Sequence, residues 1–255
     1  MEDNGRVLVF GTSYLASAEA GRTLRVWDRL VSRNDCDVLV VDSDSPGKSC
    51  FGGLGYAWHQ SDSGDLFDYV IRDRKTAISF RDNIGHLNNA LGQGFSLDGK
   101  AGALAGDGWG RAFCQGIKVA IDCGYRYAVH VETDLYYFKD LLWPLAHMND
   151  ATRVIGLVDP VCGRFETALM WMDVRCLAEI DFIRRYDWRI RNPDPLPEDR
   201  VLDIVVDHAT QIDLHGYRVD GVVPDEHVIG MLDRYDYITH VSGAVFEEIE
   251  RRLGL

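Results

Sequence analysis

Three pairs of acidic residues stand where apolar runs stop or helices start. Asp42 and Asp44 follow the run 38–41, Glu132 and Asp134 follow the run 127–131, and Glu198 and Asp199 precede a helical pattern that begins near Leu202. Two carboxylates one residue apart at a strand end aim at a common point where the chain leaves the sheet. That arrangement suits a hard divalent cation shared with a diphosphate. A separate carboxylate can take the proton of an attacking hydroxyl, so a metal-holding acid and a distant base together make a group-transfer site. An isolated acid-x-acid triplet equally suits a solvated turn or a helix cap, so the elements that carry these residues decide between the readings.

Those elements alternate. Residues 7–10 form a short apolar run ending at Gly11, then Ala20, Leu24, Trp27 and Val31 recur at helical spacing, and the run 38–41 closes a βαβ unit. The pattern weakens from 43 to about 110, where the Gly-rich tract from Leu91 to Gly110 is expected to be a mobile lid. Ala112, Gly116, Val119 and Cys123 share a helix face, Gly124 caps it, and a strand follows over 127–131. Strands are predicted at 153–158 and 168–174 and a helix at 175–186. After the Pro-rich break NPDPLPED, a second helix carries Leu202, Val205, Ala209 and Ile212, and a strand follows at 217–223. The order predicts one α/β domain with a mostly parallel mixed sheet and helices on both faces. In such sheets ligands sit at the carboxyl ends of the strands, which is where the acids fall.

Composition narrows the function classes. With 255 residues and 46% hydrophobic side chains the chain can close a large core. Lys+Arg 27 against Asp+Glu 40 gives a net charge of -13, which repels nucleic acid and anionic lipid, so neither is expected as a partner. The opening MEDNGRVLVF reads as neither signal peptide nor anchor, and no integral membrane segment is expected. The six cysteines lack a CxxC spacing, so reduced thiols and a cytoplasmic location are the expectation. GKS at 47–49 lacks the upstream glycine of a P-loop, and GGLG and GDGWG are not dinucleotide fingerprints. Trp171 and Trp188 are core aromatics by pattern, with stacking on a ligand ring as the competing role, and His208 reads as structural.

The segments VVDSDSP, SFRDNIGHL, GWGRAFCQGIKVAIDCGYRYAVHVETD, PEDRVLDIVVDHATQIDLHGYRV and THVSG come in one order. That order resembles the nucleotide-diphospho-sugar glycosyltransferases of the GT-A type, in particular their inverting, family-two-like branch, over roughly Val7 to Gly243. The resemblance implies a metal-dependent glycosyltransferase that moves a sugar, with inversion, from a nucleoside-diphosphate donor to a glycan or small-molecule acceptor hydroxyl. It implies a nucleotide-sugar-binding half, 1–134, and an acceptor-binding half, 135–255, in a GT-A-like single domain. Asp42 then stands where the base or ribose is bound and Asp44 at the next polar contact. Asn83 and Gly85 of the N-x-G segment, together with Arg111, line the donor pocket. Asp134 matches the last place of the family's metal-binding triplet for Mn2+ or Mg2+. Glu132 departs from the usual Asp at its first place and is left to the metal, to a metal-bound water or to a ribose hydroxyl. Asp199, with Glu198 beside it, matches the general base, and His240 stands where some relatives have a further metal ligand or a diphosphate contact. The competing readings are a sugar-nucleotide nucleotidyltransferase, whose Gly-rich phosphate clamp is missing from FGTSYLAS, and a glycosyltransferase-like binding domain without catalysis.

Overall fold

The computed structural model describes residues 5–13, 18–47, 49–82, 86–88, 93–95, 107–158, 163, 165–189, 197–218, 223–239 and 243–255. The β-branched and aromatic run at the start forms β1 (Val7–Ser13), and the amphipathic segment after it forms α1 (Ala18–Val31). β2 (Asp37–Asp42) completes the expected βαβ unit. The weakly patterned stretch that follows contains α2 (Ser49–Gly53), β3 (Ala57–Gln60), β4 (Lys75–Ser79), β5 (His86–Asn88) and β6 (Gln93–Phe95). Next come α3 (Gly108–Asp122), β7 (Tyr127–Val131), β8 (Leu135–Tyr137), β9 (Val154–Val158) and β10 (Phe165–Asp173). The chain closes with α4 (Val174–Glu179), α5 (Phe182–Arg185), α6 (Pro197–Val205), β11 (Ala209–Ile212), β12 (Gly216–Arg218), α7 (Asp225–Met231), β13 (Tyr237–Thr239) and α8 (Gly243–Leu253).

The main sheet has the order β11-β9-β10-β7-β1-β2-β4-β3, and in it only β10 runs antiparallel to its neighbours. One apolar cluster fills the face under α1 and α8, built on Val9, Trp27, Val40, Val129 and Trp171; the other fills the face under α3 with Phe10, Leu39, Phe113 and Met170. α3 lies close on β1 because Gly116 has no side chain: a Cβ there would come within 2.3 Å of the Phe10 ring. Gly124, at φ +68, takes the left-handed turn that releases the chain from α3 into β7. The mostly parallel mixed sheet covered on both faces is as the alternation predicts. A second, three-stranded sheet, β12-β13-β8, carries the chain beyond β7.

Two predicted helices end differently. Ala209 and Ile212 continue the helical spacing of α6, yet they lie in β11, because the edge of β9 offers unpaired backbone groups that this segment satisfies in parallel register. The helix expected over 175–186 is split at Asp181, whose φ of +52 breaks the ladder between α4 and α5. Trp171 is fully buried and its Nε1 donates to the Leu141 carbonyl at 2.6 Å, so it is a core residue and offers no face to a sugar. Trp188 is nearly buried as well, packed under the guanidinium of Arg189.

Candidate active site

β1, β2, β4 and β7 are mutually parallel, so their carboxyl ends open on one edge of the sheet. Asp42 ends β2 there with its carboxylate fully buried. Its Oδ2 accepts from the Ser45 backbone N–H at 3.0 Å and from Ser79 Oγ of β4 at 2.6 Å, and its Oδ1 accepts from Ser45 Oγ. The carboxylate therefore fixes the loop that leaves β2 and ties it to β4. Asp44 sits in that loop in a left-handed conformation, φ +54, and accepts from Gln60 Nε2 at 3.1 Å.

Beyond β7 the chain makes a tight turn, with Leu135 N–H donating to the Glu132 carbonyl at 3.0 Å. Thr133 Oγ1 donates to the Thr12 carbonyl at 3.1 Å, which fastens this turn to the end of β1. Glu132 accepts from Trp109 Nε1 at 2.8 Å, and Asp134 is half-buried. Burial, then the Asp134 charge, push the Tyr136 phenol above its ordinary pKa. In β13 the last paired residue, Thr239, lies opposite Leu135, the residue after Asp134. His240, the next residue, lies outside the described residues, as do Asn83 and Gly85.

The first turn of α3 reaches the surrounding segments. Asp107 caps it by accepting from the Gly110 N–H at 2.7 Å, and its other oxygen accepts from Tyr186 Oη and from Arg200 Nη1 at 3.0 Å. Arg200 belongs to the first turns of α6, so this buried ion pair sets the start of α6 beside the start of α3. Asp199, one residue earlier, is half-buried there; the Glu198 side chain lies outside the described residues. Arg111 is fully buried, with Nη1 bonded to the Gly64 carbonyl at 2.7 Å and to Asp82 Oδ1 at 2.6 Å, and Nη2 to the Asp82 carbonyl at 2.7 Å. Burial pulls its pKa down and Asp82 pushes it back. Arg111 thus clamps the segment that leads into Asn83 rather than projecting into the edge. Residues 107–110, expected in the lid, are the buried start of α3, and most of the remainder of that tract lies outside the described residues.

Three residues here have no local sequence signal: Trp109, Asp107 and Glu166. Glu166 is the second residue of β10, which runs antiparallel to β7 and so begins at the same edge. It is 9% exposed and accepts from the Ala168 N–H at 2.9 Å.

His130, two residues before Glu132, is fully buried among Phe10, Phe113 and Trp109. Its Nδ1 lies 2.8 Å from the Thr167 carbonyl, which only accepts, so Nδ1 carries the proton. Nε2 is buried with no partner among the described residues. Burial lowers its pKa to about 4. Because the unfolded chain binds this proton near pH 6.5, the native state has stability that is complete above pH 6.5 and is lost as the pH falls toward 4, by roughly 2–3 kcal/mol at pH 4.5. Urea unfolding at pH 7.5 and 4.5 checks this, with His130→Phe expected to show a pH loss smaller by that amount; an equal loss in both proteins contradicts it.

Among the described residues no group of three or more His, Cys, Asp or Glu side chains is arranged to hold a metal ion, and no helix is long and apolar enough to cross a membrane. No protein-family model matches the chain, and no curated protein matches its sequence. Solved structures match its fold. The galactosyltransferase LgtC, in complex with donor and acceptor sugar analogs, superposes with a TM-score of 0.55 and 10% identity over 97% of this chain and 95% of LgtC. The bifunctional glycosyltransferase WbbM, in its apo form, gives 0.52 and 8% over 99% of this chain and 50% of WbbM. The apo glycosyltransferase GlyE of Streptococcus pneumoniae TIGR4 gives 0.50 and 9% over 99% of this chain and 61% of GlyE. This chain therefore spans half the length of WbbM and about three fifths of that of GlyE. At these identities the likeness is one of fold alone: an α/β domain with a mixed sheet and flanking helices in a GT-A-like arrangement.

Proposed function

We propose that this protein is a metal-dependent glycosyltransferase that moves a sugar from a nucleoside diphosphate to an acceptor hydroxyl. The observation that supports it most is the convergence at one sheet edge. The turn carrying Glu132 and Asp134 is fastened to β1 through Thr133, and β13 ends with Thr239 opposite Leu135, the residue after Asp134. Carboxylate oxygens suit Mn2+ or Mg2+, so Asp134, with Glu132 and His240, would hold the ion there. When bound, it supplies positive charge to the departing diphosphate.

The residues of the chain do the rest. Asp42 sets the loop after β2 against which the nucleoside packs, and Asp44 contributes a polar contact from that loop. Asn83 and Gly85 line the pocket on the segment that Arg111 clamps. Asp199 takes the proton of the acceptor hydroxyl from the opposite side of the sugar, which makes inversion the stereochemical course of this reading. The cytoplasm, where thiols stay reduced, is the compartment that the composition suits.

The test is release of nucleoside diphosphate from a panel of nucleotide sugars with Mn2+ or with EDTA. Metal-dependent release, with the product anomer inverted relative to the donor, is expected. Pyrophosphate release from a nucleoside triphosphate and a sugar phosphate would instead make the protein a nucleotidyltransferase, and neither activity would leave a binding domain.

A further inference from the structure

The place of Glu132 in the acid-x-acid turn raises a geometric problem. A Glu at a strand exit has one more rotatable bond than an Asp, and an unrestrained side chain there loses rotamer entropy each time it must face a ligand in one pose. In this chain the pose is already set from α3. Trp109 Nε1 donates to Glu132 Oε1 at 2.8 Å, a hydrogen bond strengthened by the carboxylate charge.

The donor is itself held. The Trp109 ring stacks on Phe113, one turn further along α3, with centroids 4.8 Å apart and planes within 12°. It meets His130 edge to face at 5.7 Å. His130 and Glu132 are two apart at the end of β7, so Trp109 bridges that strand end, packing on one residue and bonding the next. The indole is 8% exposed, which leaves it few alternative positions. Among the described residues the indole N–H bonds only Glu132, and a phenyl ring at this position retains an aromatic face for Phe113 and His130.

We propose that Trp109 is a positioning residue for donor binding, fixing the carboxylate of Glu132 through its indole N–H. This role rests on the donor reading above. Removing such an outer partner of a ligand-facing carboxylate typically costs roughly 10–100-fold in affinity or activity.

The experiment is a double-mutant cycle on Trp109→Phe and Glu132→Ala. Its probe is whichever of UDP, GDP, ADP and dTDP binds the wild type most tightly with Mn2+, measured by calorimetry, alongside steady-state kinetics with the matching sugar donor. Trp109→Phe is expected to raise the nucleoside diphosphate Kd and the donor KM by about 10–100-fold. The acceptor KM and the kcat at saturating donor are expected to hold within about twofold, since the chemical step does not involve the indole. The double variant is expected to be no worse than Glu132→Ala alone. A readout independent of turnover is the Trp109 indole N–H resonance of 15N-labelled protein, assigned by its absence from Trp109→Phe; it is expected to move upfield in Glu132→Gln, where the acceptor loses its charge. Additive losses, a fall in kcat with donor KM unchanged, or an indole resonance indifferent to Glu132→Gln would overturn the positioning role alone. A wild type that binds none of the four diphosphates would overturn the donor reading and this role with it.

Discussion

Asp199→Asn is expected to lower the rate of sugar transfer by on the order of 10²–10⁴ while leaving donor affinity nearly unchanged. The substitution separates two roles for a carboxylate at a helix start. Asp199 stands in the first turn of α6, where an acid favours the positive end of the helix dipole and helps satisfy backbone N–H groups. Asn serves those purposes about as well, so a merely structural Asp199 would tolerate it with a loss of a few tenths of a kcal/mol. A base so replaced cannot take the acceptor proton. The scaffold around it stays in place in either case, because the start of α6 is held by the adjacent Arg200, buried against Asp107. Transfer rate and donor binding are measured on the same preparation. Near-normal transfer would pass the base role to Glu198, to Asp203 one turn on, or away from this segment.

Asp134→Asn is expected to abolish metal-dependent donor binding and to lower turnover by about 100-fold or more, beyond what loss of an outer partner costs. Asn keeps the shape but removes the anionic oxygen that a hard cation requires. The fold should survive: Asp134 is half-buried in a turn secured by other residues, through the Leu135 N–H and the Thr133 hydroxyl. Calorimetric titration of nucleoside diphosphate with and without Mn2+ reads the effect, with the melting temperature as the control for folding. Unchanged Mn2+-dependent binding in a folded variant would remove Asp134 from the metal site.

What the sequence discloses follows from how local each signal is. β1, α1 and β2 are legible because the 7–10 run, the α1 spacing and the 38–41 run each complete a period before the next begins. Asp42, Asp44, Glu132 and Asp134 are legible at the sheet edge for the same reason, since each pair follows an apolar run that ends abruptly. β11 is not, because Ala209 to Ile212 is short enough to satisfy either period and the unpaired edge of β9 decides it. β3 and β4 are four and five residues long, and β4 carries Lys75, Thr76 and Ser79 beside only two apolar residues, so neither reads as a buried strand. The contacts that organise the site are less legible still. Trp109 meets Glu132 across 23 residues and Asp107 meets Arg200 across 93, and no spacing rule predicts either. Residue type alone does not disclose that the Arg111 and Asp42 side chains are buried and each hold a loop.

The central claim, a donor site for nucleotide sugars at the carboxyl edge of the sheet, is tested most directly by the melting temperature of the wild-type protein against a panel of nucleoside diphosphate sugars, with Mn2+ and with EDTA. A ligand that binds only the native state at 100 times its Kd adds about 2.7 kcal/mol of stability, a rise of roughly 5–10 °C for a domain of this size. The predicted result is a rise of that order for one donor family with Mn2+ and little or none with EDTA. No rise with any nucleotide sugar, or an equal rise with and without the metal, would contradict it.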